Sequence, residues 1–80
     1  MTQLEKLVAK LMARPVNASV GDVRRVLAAY GWEFTRQSGS HLSFRKPGDP
    51  RVLTIATENG RTVKTVYLDK VCEFLRLDDR

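Results

Sequence analysis

A chain of 80 residues with 14 Lys and Arg against 9 Asp and Glu, formal net charge +5, is sized for a single small domain that hides only about 60% of the surface its unfolded form would expose. No apolar run approaches the roughly 20 residues of a membrane span, and Glu5, Lys6 and Lys10 break up the N-terminal apolar residues in a way a signal peptide does not. One histidine and one cysteine exclude an internal disulfide and a zinc site of the usual Cys/His type. A soluble, cytoplasmic protein without cofactor or metal is expected, and its positive charge favours a polyanion such as RNA as partner.

In chain order, Leu4, Leu7, Val8, Leu11 and Met12 recur at helical intervals, with Thr2 and Glu5 placed to form a capping box. Pro15 ends this helix and biases Arg14 towards an extended backbone. Ser19 is an N-cap for a second helix running to about Tyr30, with Asp22 in its first turn and Val23, Val26, Leu27 and Tyr30 as its buried stripe. Arg24 and Arg25 lie off that stripe and read as solvated, with RNA or an acidic partner as alternative contacts. Gly31 suits the left-handed position that closes a helix.

Trp32, Phe34 and Arg36 alternate with Glu33 and Thr35 as in a strand, and Leu42 and Phe44 resume the period after Gly39. The two strands pair across Gln37-Ser38-Gly39-Ser40. Pro47-Gly48-Asp49-Pro50 is a turn, and Arg51 to Ala56 gives a third strand. Thr57 to Arg61 reads as a loop; the alternative, a hairpin on Asn59-Gly60, carries less weight because a helix starting near Thr65 suits the next segment. Leu68, Val71, Cys72 and Leu75 share one face of that helix, which ends near Leu77, and Asp78-Asp79-Arg80 should fray. Cys72 is expected as a small core residue rather than a nucleophile. The fold class is therefore α+β, a three-stranded antiparallel sheet packed against helices in the order α-α-β-β-β-α.

The chemistry concentrates in Arg36-Gln37-Ser38-Gly39-Ser40-His41-Leu42-Ser43-Phe44-Arg45-Lys46, where the only histidine follows a Gly-Ser pair and is bracketed by cations. Imidazole is the side chain able both to take and to give a proton near neutral pH. By alternation His41 and Ser43 point away from Leu42 and Phe44, which puts the histidine on the open face if the apolar pair packs on the helices. Gly39 permits a positive φ and Ser40 offers a hydroxyl beside the imidazole. Arg36, Arg45 and Lys46 are candidates to neutralise phosphoryl oxygens, with Lys64 a weaker one at the start of the last helix. A bulge at Gly39 would flip the phase, so alternation leaves open which of these cations faces a phosphate. Tyr30, Trp32, Phe34 and Phe44 read as core rather than as base-stacking platforms.

The segment Gly31-Trp32-Glu33-Phe34-Thr35-Arg36-Gln37-Ser38-Gly39-Ser40-His41-Leu42-Ser43-Phe44-Arg45 resembles the HicA toxin family, small ribonucleases of bacterial toxin–antitoxin pairs, and the likeness runs from about Val20 to Leu77. The resemblance implies one HicA-like domain over 1–80, with 1–18 as an N-terminal helical extension and 19–77 as the core. It implies a fold like double-stranded-RNA-binding domains, His41 as the catalytic histidine of a metal-independent endoribonuclease acting on mRNA, Gly39 and Ser40 as the turn that presents it, and a HicB-type antitoxin that masks the active surface. A non-catalytic RNA-binding module and an inactive antitoxin-binding protein are the competing readings.

Overall fold

The computed structural model describes residues 2–77. Helix α1, Gln3–Met12, starts as its sequence dictates: Glu5 N donates to Thr2 Oγ1 at 3.1 Å and Thr2 N donates to Glu5 Oε1 at 3.4 Å, closing the capping box. Its end departs from expectation. Arg14 has φ 52°, left-handed rather than extended. The reason is capping: Arg14 N donates to Leu11 O at 3.0 Å, and its guanidinium reaches Met12 O at 2.7 Å and Asp69 Oδ1 at 2.9 Å. Pairing carbonyls that a helix end otherwise leaves open offsets a local steric penalty of about 1–2 kcal/mol.

Strand β1, Ala18–Ser19, leads directly into α2, Val20–Ala29. Ser19 Oγ accepts from Asp22 N at 3.4 Å, and Lys10 Nζ reaches the Asp22 carboxylate at 3.1 Å, tying α1 to α2. The helix closes in a Schellman motif. Gly31 takes φ 90°, its N–H donates to Ala28 O at 3.0 Å, and Trp32 N donates to Leu27 O at 2.9 Å.

Strands β2, Glu33–Ser38, β3, His41–Arg45, β4, Val52–Glu58, and β5, Thr62–Val63, follow, then α3, Thr65–Leu75. The sheet has five strands in the order β1-β5-β4-β3-β2, all neighbours antiparallel, where the alternation predicts three. The order is thus α-β-α-β-β-β-β-α rather than α-α-β-β-β-α. Both additional strands are two-residue pieces, too short for alternation to register. The expected loop from Thr57 is instead the hairpin on Asn59-Gly60. Asn59 and Gly60 have φ 54° and 68°, the type I′ pattern, and Arg61 N donates to Glu58 O at 3.0 Å. Ala18 then pairs with Val63 and Ser19 with Thr62 on the far side of β5. The Lys46–Asp49 turn forms as expected, with Gly48 at φ 85° and Asp49 N donating to Lys46 O at 2.9 Å.

All three helices share one core with one face of the sheet. Leu42, Phe44, Leu53 and Ile55 are buried with Val8 and Leu11 of α1, Val23, Val26 and Leu27 of α2, and Leu68, Val71, Cys72 and Leu75 of α3. Cys72 is fully buried, as a core residue should be, and Leu77 beyond the left-handed cap at Arg76 is buried as well. The Asp78-Asp79-Arg80 segment, expected to fray, lies outside the described residues. Among the described residues no helix lies on the opposite face of the sheet, and the side chains of β3 and β4 on that face are exposed or half-buried. Among the described residues no helix is long and apolar enough to cross a membrane.

The N-terminal helix is part of this core. Leu11→Ala should therefore lower the unfolding free energy by about 2–5 kcal/mol, the range for a fully buried leucine, whereas Val66→Ala, at 64% exposure, should stay within about 0.5 kcal/mol. Urea denaturation of both variants checks this. Equal effects would mean that α1 is not packed as described.

Candidate active site

The site is built on β3 between its two partners. Register pairs Ser38, His41 and Ala56 in one row, Arg36, Ser43 and Thr54 in the next, and Glu33, Arg45 and Val52 in the third. Directly paired residues share a face, so these rows make up the helix-free side, while Phe34, Phe44 and Leu53, and Gln37, Leu42 and Ile55, point to the helices. His41 is exposed, as the alternation predicts. Its side chain has no hydrogen-bond or ion-pair partner among the described residues, so both ring nitrogens are open to a ligand.

Arg36 reaches this face through a bulge. Between Phe34 and Arg36 the register of β2 slips by one residue, with Thr35 as the extra one. Unbroken alternation would put Arg36 on the side of Phe34, facing α2. The slip turns it outward, as a diagonal neighbour of His41 at about 7–8 Å, within reach of a long side chain. Thr35 secures the slip by donating its hydroxyl to Ser43 O at 3.1 Å. The phase change thus occurs four residues before Gly39, and at Gly39 there is a turn.

That turn, Gly39-Ser40 between the paired Ser38 and His41, has φ 59° at Gly39, while Ser40 is not among the positive-φ residues. This is the II′ pattern that suits the twist of a hairpin. Three contacts fix it: Gln37 Nε2 donates to Gly39 O at 3.1 Å, and Thr57 donates to Ser40 O through its N–H at 2.8 Å and its hydroxyl at 3.2 Å. His41 is consequently carried on a hairpin end held from both neighbouring strands. Gln37, Thr57 and Thr35 hold the turn and the bulge in place, and the residue pattern alone does not single them out. The available signal was Thr57, a hydroxyl in the apolar phase of Leu53 and Ile55.

The other predicted cations divide. Arg45 is on the open face, two residues along from Ser43, with Glu33 opposite it. Ser43 Oγ and Thr54 Oγ1 lie 3.4 Å apart, so the floor between the arginines is hydroxylic. Lys64, at the N-cap of α3, has its Nζ 3.5 Å from Glu58 Oε1, near the Gly39-Ser40 end but already paired. Lys46 is not brought to His41. It lies roughly 17 Å further along the strand, on the helix side, with its stem over Gly31, where an added Cβ would meet Lys46 Cε at 3.5 Å. Of the aromatic residues expected in the core, Trp32 and Phe44 are buried, but Phe34 on the edge strand is 42% exposed, edge-on to Phe44 and under the Arg24 guanidinium at 4.8 Å. Among the described residues no three His, Cys, Asp or Glu side chains gather where they could hold a metal ion.

The space around Gly39 is open, so only its backbone conformation demands glycine. Gly39→Ala should therefore destabilise the domain by about 1–2 kcal/mol, and Gly39→Asn by less, because asparagine tolerates positive φ. Thermal denaturation of the two variants gives the comparison, and a neutral Gly39→Ala would contradict the turn assignment.

A family model described as the HicA toxin of bacterial toxin–antitoxin systems matches residues 20–76, from the first residue of α2 to the left-handed cap of α3. No curated protein and no solved structure matches the chain. The matched stretch contains the whole of the site just described, the bulge, the turn, His41 and both neighbouring strands, while α1 and β1 precede it. With more than half of the chain matched, the protein belongs to the HicA family of toxins from bacterial toxin–antitoxin systems.

Proposed function

We propose that this protein is the ribonuclease toxin of a toxin–antitoxin pair, a cytoplasmic, metal-independent endoribonuclease that cleaves mRNA with His41 as its acid–base group. The observation that carries the reading is the setting of His41 in a HicA-family chain: exposed, without a partner among the described residues, on a pinned hairpin end, with Arg36 at the diagonal position of the neighbouring strand. Neutral imidazole of His41 takes the proton of an RNA 2′-hydroxyl, and the 2′-oxygen attacks the adjacent phosphorus. The bond from phosphorus to the 5′-oxygen breaks, and that oxygen takes a proton from solvent. The products are a 2′,3′-cyclic phosphate and a free 5′-hydroxyl. DNA, lacking the 2′-hydroxyl, is not a substrate.

Arg36 and Arg45 neutralise the phosphoryl oxygens as negative charge builds on them, and the Gly39-Ser40 turn lets the RNA backbone approach. Lys64 contributes to the field at the hairpin end. One positioned acid–base group is worth about 10²–10⁴-fold in rate, which suits a slow enzyme whose substrate is abundant. The helix-backed sheet with one open face supports a fold like that of double-stranded-RNA-binding domains. HicA toxins pair with an antitoxin; a HicB-type antitoxin covering the open face would displace RNA and shield His41 together.

The test is cleavage of a long single-stranded RNA in EDTA by the protein and by His41→Ala, with end-group analysis of the products. The expected result is cutting by the unsubstituted protein, cyclic phosphate ends, and loss of about 10²-fold or more in the variant. Equal cutting by both proteins would remove His41 from the mechanism. Binding without cutting by both would replace the enzyme with an RNA-binding module.

A further inference from the structure

At the end of the sheet away from His41 lies a cleft of about 300 Å³, walled by the β3–β4 turn, the link from α2 to β2 and the end of α3. Its centre is Arg51. Asp49 holds this residue at both backbone and side chain: its carboxylate accepts from Arg51 N at 2.9 Å, from Nε at 3.1 Å and from Nη2 at 2.8 Å. The guanidinium carbon sits 4.5 Å from the centroid of Phe74 and 5.8 Å from that of Trp32. A planar cation is thereby fixed against an aromatic wall, with 46% of its side chain still exposed. Hydrogen bonds from Arg51 lower the Asp49 carboxyl to about 2, so the clasp stays ionised near neutral pH.

Closing the edge of the Trp32–Phe74 pair accounts for Arg51 and Asp49. It does not account for Lys46 and Arg76, which also line the cleft and whose side chains have no hydrogen-bond or ion-pair partner among the described residues. Of the described lining residues only Asp49 is acidic; it is clasped to Arg51 and also feels the charge of Lys46, and Glu73 is the other carboxylate that acts on that guanidinium. Three cations, Lys46, Arg51 and Arg76, against one carboxylate give the described lining a net positive charge that attracts an anion.

We propose that this cleft is a nucleotide subsite for single-stranded RNA, in which a base stacks on the fixed guanidinium of Arg51 and its flanking phosphates meet Lys46 and Arg76. The proposal rests on the ribonuclease reading of His41 and extends it. Bases stack on guanidinium planes as they do on aromatic rings, and a plane already immobilised loses little freedom on binding. From His41 to Lys46 is roughly 17 Å of strand, and because the cleft lies on the helix side the RNA must also round the end of the sheet, so at least about five phosphates at the 3.4 Å spacing of a stacked strand separate the two places. Arg45 stands between them on the open face. The substrate footprint then extends several nucleotides to one side of the cut.

Binding is measured by fluorescence anisotropy over a salt series, on the full chain carrying His41→Ala, with a labelled oligouridylate long enough to span both places. Lys46→Ala/Arg76→Ala should weaken binding and reduce the slope of log K against log salt by about 1.4, at 0.7 for each single-strand phosphate no longer neutralised. Lys6→Ala/Arg25→Ala removes equal charge from the groove between α1 and α2 and should leave the slope as it was. Arg51→Lys keeps the charge but not the plane, so it should raise Kd roughly fivefold or more at unchanged slope. Circular dichroism confirms that each variant is folded. An unchanged slope in the cleft pair, or an equal drop in the control pair, overturns the subsite while leaving RNA binding intact, and Arg51→Lys binding like its parent overturns the stacking. Absence of RNA binding in the parent itself would overturn the RNA reading and the subsite with it. Weaker antitoxin affinity in the cleft pair with RNA binding unaltered would make the cleft a protein-binding surface instead.

Discussion

Helices cover the sheet on one side only, and the geometry of the site follows from that asymmetry. Leu42 and Phe44 must enter the core with Leu53 and Ile55, because the core of so short a chain is small and each of these side chains is worth about 1.5–3 kcal/mol when fully buried. In a strand of period two, burying those positions leaves His41, Ser43 and Arg45 no place but the open face. A one-residue slip of β3 would bury the histidine and expose two large apolar groups. The energy that folds the domain is therefore also what keeps the imidazole accessible.

On the edge strand the same rule is broken once, and to effect. Phe34 stays in the apolar phase, packed edge-on to Phe44, while Arg36 two residues later faces outward because Thr35 is looped out of register. The hydroxyl of Thr35 replaces a ladder partner for Ser43 O. Bulges are common where a sheet must re-aim a side chain, and here the re-aimed group is the cation diagonal to His41. The Gly39-Ser40 turn is held just as specifically, by Gln37 from its own strand and by Thr57 from β4. Strands on both sides of β3 thus take part in fixing His41, although neither Gln37 nor Thr57 shares its face.

The two ends of β3 are chemically different. One carries the histidine at a tight hairpin; the other opens into a cleft whose cations are arranged around the Asp49–Arg51 clasp. Strands too short to register on their own complete the sheet, since β1 and β5 pair only because the Asn59-Gly60 turn returns the chain at the right point. The N-terminal helix, outside the stretch shared with the family, closes the core through Leu11 and is tied down by Lys10–Asp22 and Arg14–Asp69.

Local patterns in the sequence determined the helices, the N-caps of α1 and α2 and the Gly31 closure of α2, the three longer strands, the turns at Gly39 and Gly48, and the outward phase of His41. These depend on residues close in the chain: Thr2 with Glu5, Ser19 with Asp22, Leu42 with Phe44. The tertiary structure alone decided what depends on contacts between distant segments. Arg14 adopts a left-handed backbone to meet α1 carbonyls and Asp69; the segment after Asn59-Gly60 is a strand rather than a loop because β4 and β1 flank it on both sides; Lys46 goes to the helix side, far from His41. The outward turn of Arg36 belongs with these, because alternation within one strand carries no record of the register it will adopt against its neighbour. A bulge is a property of the pair.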